Sequence, residues 1–384
     1  MKITVGSEKE LAAAIAGAEA PLNIAGGGTL GLAAQDAGDL LSTAGMSGIS
    51  VYEPGALTIV AGAGTPVEEI ERGLASEGQR LAFEPMDYRG LLGTTGTPTI
   101  GGVVAANVSG PRRIQAGACR DFLLGVRFVD GRGNVVKNGG RVMKNVTGYD
   151  LVKLAAGSFG TLGVISEVAL KVLPETEVRA VLLIEGLDDA RAVQAMIQAL
   201  GTPYEVTGAA HTPKGLDGAP VTMIRLEGFA DSVKMRAEKL RLELSDFGDM
   251  SIETNASRTA AGWRWVRDVQ AFEGSEGDIW RISVKPTDGP VIGTELRKQF
   301  GATLLYDWGG GLVWALVPEG SNVRAHFGAV RGHATLIKAS GPVKQKLGVF
   351  HSSGPVLDRL AADLRKKFDP RGIFNPGLMT TGGA

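Results

Sequence analysis

The sequence predicts an α+β fold in two domains, and three observations predict it. Glycine clusters crowd the first half of the chain, at 25–31, 94–117 and 157–163. Beyond Pro174 the glycine density falls and a β-α-β-β-α-β rhythm begins, then begins again near Ile279. Hydrophobic residues make up 44% of the 384 positions, enough for two cores, yet no apolar run nears the ~18 residues of a membrane span. The expected domains are residues 1–174 and 175–384.

Each element has a local reason. Ile3-Thr4-Val5 reads as a strand, and a helix opens after it at Ser7, where Ser7 and Glu10 form the Ser-x-x-Glu capping pattern. Strand Leu22 to Ala25 then runs into the first glycine cluster. From Ile49 to about Leu173 the segments are short and β-rich, Leu57 to Ala61 and Phe122 to Val129 among them. One helix interrupts them at Pro66 to Ser76, and Asp130-Gly131-Arg132-Gly133-Asn134 is a turn.

In the second domain the expected order starts with strand Val178 to Leu183 and helix Asp188 to Leu200. Strands Tyr204 to Ala210 and Val221 to Leu226, helix Asp231 to Leu244 and strand Met250 to Glu253 follow. A second copy runs through strand Ile279 to Val284, helix Val291 to Phe300, and strands Ala302 to Tyr306 and Leu312 to Leu316. It closes with helix Asn322 to Arg331 and strand Ala334 to Ile337. Helices on one face of an antiparallel sheet are the natural packing for such ferredoxin-like units. Trp263 to Phe272 reads as one helix, with Trp265, Val269 and Phe272 sharing a face turned to a core or a subunit contact. Trp308, before three glycines, marks a hairpin or a bulge, and a last helix spans Val356 to Phe368.

Charge excludes several function classes. The net charge is −1 with both signs interspersed, so there is no electrostatic footprint for nucleic acid and no polybasic anchor. One cysteine, Cys119, and four scattered histidines exclude an internal disulfide, a self-contained iron–sulfur cluster and a thiolate zinc site. The N-terminus lacks the apolar core of a secretory signal, which favours the cytoplasm. Redox chemistry on this chain must therefore use an organic group.

The glycine clusters say which kind. Backbone free of side chains can approach a large polar ligand, and three such clusters can line a whole dinucleotide. Gly26-x-Gly28-x-x-Gly31 after a strand has the spacing of a nicotinamide-dinucleotide loop, with Glu53 in position for a ribose. Gly38 interrupts the segment that follows, and the chain beyond is β-rich instead of alternating, which argues against a doubly wound sheet. A flavin-sized ligand fits the pattern better.

The second cluster, Thr97-Pro98-Thr99-Ile100-Gly101-Gly102 through Asn107-Val108-Ser109-Gly110 and on to Gly117-Ala118-Cys119-Arg120-Asp121, resembles the FAD-binding domain of the vanillyl-alcohol-oxidase superfamily, the PCMH-type flavoproteins. Gly148-Tyr149-Asp150, Gly157 to Val168 and the closing Phe374-Asn375-Pro376-Gly377 resemble the same family. Val142 to Asp150 and the Ser109-Gly110-Pro111-Arg112-Arg113 step are similar, more narrowly, to the FAD-binding E subunits of bacterial glycolate oxidase.

The resemblance implies a PCMH-type two-subdomain FAD domain followed by an α+β cap with a C-terminal tail that returns to the FAD. It implies that Gly26, Gly27, Gly28, Thr29 and Leu30 hold the pyrophosphate. Thr99, Ile100, Gly101, Gly102, Asn107, Ser109 and Gly110 would run along the flavin and its phosphates. Pro85, Tyr149, Asp150, Gly163, Val164, Ile165 and Asn375 are further cofactor positions on this resemblance. Arg112, Arg113 and Arg120 are available for charge-assisted contacts, against the plain alternative of exposed loop arginines. The first loop offers no histidine or cysteine for a covalent flavin link, so FAD is expected to be non-covalent. The implied partners are a second flavoprotein subunit and an iron–sulfur subunit, with a small 2-hydroxy acid as substrate. Peripheral attachment to the inner face of the membrane would come through that complex.

What the sequence lacks is a base and a carboxylate clamp. Oxidising a 2-hydroxy acid needs both. The His-x-Gly-x-Gly-Asn-x-His pattern of family members acting on such acids is absent, and of the four histidines only His351, close before the closing motif, is a candidate base. Three readings stay open. The chain is the FAD subunit of a glycolate-oxidising complex, a stand-alone dehydrogenase with Arg281, Lys285 or Lys338 on the substrate carboxylate, or an assembly module without FAD.

Overall fold

The computed structural model describes residues 1–32, 38–141, 148–215 and 218–379. The Val142 to Thr147 part of the glycolate-oxidase-like stretch lies outside the described residues. Two compact units emerge. The first comprises Met1–Ser109, Gly117–Glu175 and 352–379; the second comprises Gly110–Ala116 and Thr176–His351.

In the first unit, β1 (Lys2–Thr4), β2 (Leu22–Ala25) and β3 (Asp39–Ser42) form a parallel sheet in the order β1-β3-β2. The helix Glu8–Ala16 connects β1 to β2, and the Ser7 hydroxyl caps it by accepting the Glu10 amide at 3.2 Å. Its Leu11 and Ile15 are fully buried against Leu22 and Leu41, in a core that Ile373 and Phe374 complete from the far end of the chain. A second, antiparallel sheet follows. It joins β4 (Ile49–Glu53), β5 (Thr58–Gly62), β7 (Leu123–Val129), β8 (Val135–Gly139) and β9 (Val164–Lys171) in the order β4-β5-β9-β7-β8, while β6 (Gln79–Arg80) pairs with β10 (Leu173–Pro174). The expected turn after β7 forms, with Asp130 Oδ1 accepting the amides of Arg132 and Asn134.

The second unit carries one open sheet of eight strands. Its first half contains β11 (Val178–Glu185), β12 (Gly208–Thr212), β13 (Val221–Gly228) and β14 (Met250–Glu253), in the order β14-β11-β13-β12. The second half repeats this as β16 (Thr303–Asp307), β17 (Leu312–Val317), β15 (Asp278–Val284) and β18 (Gly332–Lys338). The first is a βαββαβ unit, and the second a βαββ unit closed by β18 after a 3₁₀ turn; they meet edge to edge where His211 pairs with Tyr306. Helices Asp189–Leu200, Ala230–Glu243 and Gly289–Phe300 cover one face, packing Ala192, Val233 and Leu296 onto Ile224, Trp280 and Ile282. At the seam the Tyr306 hydroxyl donates to Asp189 at 2.5 Å, and Arg297 pairs with the same carboxylate at 2.6 Å. A Cβ on Gly293 would stand 1.9 Å from that hydroxyl, so the residue there has none.

Three expectations are corrected. Trp263 to Phe272 is not one helix: the helix Ala256–Arg267 stops at Asp268, Val269 takes φ +52°, and a 3₁₀ turn Gln270–Phe272 follows. Trp263 is the more deeply buried, against Val181, Ala210 and Met223 on the face opposite the other helices; Trp265 packs partly buried against the same cluster, and Val269 and Phe272 are fully buried as expected. Asn322 to Arg331 yields only the 3₁₀ turn Val323–His326, because Gly328 turns the chain at φ +52°. The strand expected from Tyr204 starts only at Gly208, after Glu205 at φ +52°. Trp308 does sit in a hairpin, between β16 and β17.

Candidate functional site

A cavity of about 590 Å³ opens in the first unit, within the ~300–1,000 Å³ usual for cofactor sites. One wall is the first glycine loop, which leaves the carboxyl end of β2, the side of a parallel sheet where ligands bind. Close backbone packing fixes that loop. A Cβ on Gly27 would lie 1.6 Å from the Thr97 carbonyl oxygen, and one on Gly96 would lie 1.8 Å from the Gly27 carbonyl. Glycine is thus required for chain-to-chain fit as well as for ligand approach. Gly28, at φ +77° with open space around it, is required by conformation alone.

The consequence is a row of unused donors. Among the described residues, the amides of Gly26, Gly27, Gly28, Thr29 and Leu30 find no protein acceptor, and all five residues line the cavity. The helix Ile100–Ala105 forms another wall through Gly101, Gly102 and Val103, but its first amides are already engaged. Ile100 donates to the Thr65 carbonyl at 3.0 Å and Gly101 to that of Ala63 at 2.8 Å. Thr99 caps this helix through the Gly102 amide and also lines the cavity, whereas Ile100 turns into the core.

Gly163, Val164 and Ile165 form the floor at the start of β9. Asn375 closes the far side: its Oδ1 accepts the Ile24 amide at 2.7 Å and its Nδ2 donates to the Phe159 carbonyl at 2.8 Å. None of the described lining side chains is charged, and none is histidine or cysteine. Leu32, Met86, Val108 and Leu378 make the remainder apolar. A ligand with a dianionic middle and flat, apolar-faced ends suits this lining, because backbone amides can hold phosphate oxygens without a cationic side chain. FAD fits that description.

Other sequence-proposed positions lie elsewhere. Pro85 is buried but off the cavity, next to Met86, which lines it. Asn107, at φ +50°, accepts the Arg120 amide at 2.9 Å, and the Ser109 hydroxyl donates to the Asn107 carbonyl while accepting the Cys119 amide at 3.0 Å. The Gly110 carbonyl accepts the Trp308 indole N–H at 3.0 Å. Arg112 belongs to the second unit, where it forms a buried two-point ion pair with Glu227 at 2.8 and 2.7 Å. The Arg120 side chain is half exposed, and Tyr149 is 88% exposed. Asp150 caps the helix Leu151–Ala155 through the Lys153 amide. Burial drives the Cys119 thiol far up from its usual range, so it stays protonated. His351 sits in the second unit, its Nδ1 accepting the Ala334 amide at 3.3 Å and its ring edge-on to Phe327.

The sequence reading missed Thr43, Met86 and Tyr88. Thr43 carried a usable signal, since it follows β3 at the carboxyl edge of the parallel sheet. Nothing local distinguishes Met86-Asp87-Tyr88.

Residues 1–139 match the family described as FAD binding domain. The chain is 36% identical over 337 residues to glycolate oxidase subunit GlcE of Escherichia coli, covering 86% of this chain and 84% of that one. The chain belongs to the GlcE family. This GlcE-family chain is also similar to glycolate oxidase subunit GlcD of Bacillus subtilis, at 27% identity over 331 residues, covering 73% of this chain and 68% of the other. Its fold matches alkyldihydroxyacetonephosphate synthase with a TM-score of 0.70 at 15% identity, covering 98% of this chain and 75% of that one. p-Cresol methylhydroxylase gives 0.69 at 13% identity, covering 98% and 88%. The PCMH-type α+β fold and the FAD cofactor expected from the sequence both hold.

Proposed function

We propose that this chain is the FAD-holding subunit of a glycolate oxidase complex, with residues 1–174 as the FAD-binding domain and 175–384 as its cap. The observation that carries the reading is the uncharged cavity whose glycine loop presents five amides without protein acceptors. The similarity to GlcE supports the substrate class. In the reading, the loop amides hold the pyrophosphate, Asn375 keeps β2 and the Phe159 loop together around it, and the apolar lining excludes water from the ring system. Bound FAD would supply two-electron acceptance from the alcohol carbon of the acid.

The flavin is held without a covalent link, since no described lining residue is histidine or cysteine. A second flavoprotein and an iron–sulfur subunit complete the assembly, in the cytoplasm or at the inner face of its membrane. No helix among the described residues is long and apolar enough to cross a membrane. The deciding experiment is a visible absorbance spectrum of the purified chain, before and after anaerobic addition of glycolate and the partner subunits, followed by acid precipitation. Flavin bands that glycolate bleaches in the assembled complex, with all flavin released into the acid supernatant, are expected. A colourless chain that added FAD does not restore overturns the reading.

A further inference from the structure

The helix Pro355–Phe368 is tied to the first unit at both ends, yet none of its 14 residues is buried. At its start Asp358 accepts the Ser353 amide at 3.0 Å and the Ser352 hydroxyl. At its end the Lys367 carbonyl accepts from the Arg132 guanidinium at 3.0 Å, and the Phe368 carbonyl accepts the Gly131 amide at 2.8 Å. The Phe368 ring lies tilted against Phe128. The helix is therefore fixed in place without being covered.

Its uncovered side is apolar. Val356, Leu357, Leu360 and Leu364 fall on one face at helical spacing and are 63, 57, 50 and 37% exposed. One exposed leucine is ordinary, whereas four large apolar residues along one stripe mark a contact surface. The half-buried residues Asp358, Ala361, Arg365 and Phe368 lie on the side turned to the unit. On the open flank of the stripe stand Arg359 and Asp363, one turn apart and both exposed, and among the described residues neither forms an ion pair.

That order of residues is self-complementary. Laid antiparallel across a two-fold axis near Ala361, a second copy seats its Leu364 between Leu357 and Leu360 and brings its Asp363 beside Arg359. Both contacts recur on the other side of the axis, as an isologous interface requires. An anionic membrane surface would favour an unbroken basic rim, which Asp363 interrupts.

We propose that this face pairs with the same face of a second copy of the chain, in an antiparallel contact built on Leu357, Leu360 and Leu364 and rimmed by two Arg359–Asp363 pairs. One short helix from each copy buries well under the ~800 Å² per partner of a standard interface, so the dimer is weak and depends on concentration. The inference goes beyond the FAD reading and does not rest on it.

The test is sedimentation velocity of the full-length, FAD-loaded chain over a range of concentrations, with and without vesicles of phosphatidylcholine and phosphatidylserine. Wild type should pass from monomer to dimer as its concentration rises. Leu360→Glu should weaken the dimer about tenfold or more, with the flavin spectrum and melting temperature unchanged. Arg359→Asp and Asp363→Arg should each weaken their own homodimer, because like charges then meet across the axis. An equimolar mixture of those two variants should form a heterodimer tighter than either homodimer, a rescue that a folding defect would not give. A chain that stays monomeric throughout, a dimer that Leu360→Glu leaves intact, a mixture no tighter than its components, or a monomer that binds the vesicles through this helix overturns the proposal.

Discussion

Asn375, near the end of the chain, accepts the backbone N–H of Ile24 at 2.7 Å, 351 positions away along the chain. The bond sits beside Leu22, whose amide donates to the Ile373 carbonyl at 2.7 Å and whose carbonyl accepts the Asn375 amide. The closing Phe-Asn-Pro-Gly motif thus adds one more extended segment to the edge of β2 and ends at the cavity. Asn375 is only 4% exposed and holds φ +42°, a conformation that asparagine tolerates better than most residues.

Asn375→Ala should therefore destabilise the first unit and weaken FAD together. It removes the Asn375 bonds to the Ile24 amide and the Phe159 carbonyl and leaves the Ile24 amide unsatisfied, at about 1–3 kcal/mol for a buried donor left so. Thermal unfolding in the presence and absence of added FAD measures both effects. A variant with wild-type melting and wild-type flavin retention would show the motif to be dispensable.

Gly27→Ala and Gly28→Ala should behave differently. The first places a methyl group 1.6 Å from a backbone carbonyl that has nowhere to move, so the loop must be displaced and the chain should purify without FAD. The second has open space and only the cost of φ +77°, about 1–2 kcal/mol for a non-glycine residue. It should retain flavin at reduced affinity. The absorbance ratio of flavin to protein separates the two outcomes.

Arg112→Ala should cost about 3–5 kcal/mol, the usual penalty for stripping one partner from a buried ion pair. Its side chain and that of Glu227 are 6% and 1% exposed. Arg179 also contacts Glu227, at 3.0 Å, and offsets part of the loss. Because Arg112 is committed to Glu227 in the second unit, flavin content per folded chain should change less than twofold. Denaturant unfolding and the flavin spectrum of the same preparation provide the check.

Stability should fall in acid partly through Glu8. The Arg127 guanidinium bonds its carboxylate, at 3.0 Å from Nε, and the Ser166 hydroxyl adds a second bond at 2.7 Å, so the folded pKa lies below the ordinary value. A depressed folded pKa means stabilisation that is complete above the unfolded pKa of about 4.3 and is lost as pH drops through the folded one. Glu8→Gln should consequently be less stable than wild type at pH 7 and should converge with it at low pH. Parallel stability curves at all pH values would contradict this.

Much of the architecture was legible because its causes are local. The Ser7 cap, the Asp130 turn, and the strands Leu22–Ala25 and Met250–Glu253 follow from neighbouring residues and apolar periodicity. The break at Val269 was not, since a valine at φ +52° obeys surrounding packing against its own preference. The glycine loop was legible as a ligand site, but its second constraint, the carbonyl of Thr97, comes from a segment some seventy residues on and exists only when the two strands of chain are packed.

The sequence by itself determined the glycine loop and the α+β class, because each depends on residue type and short spacing. Tertiary structure alone decided where the charges went. It committed Arg112 to Glu227, held Asp150 as a helix cap, and stacked Arg113 and Arg281 on Trp308 from three separate stretches of chain. The physical reason is that charge pairing and cross-strand register act through space, between groups whose separation along the chain carries no periodic signal.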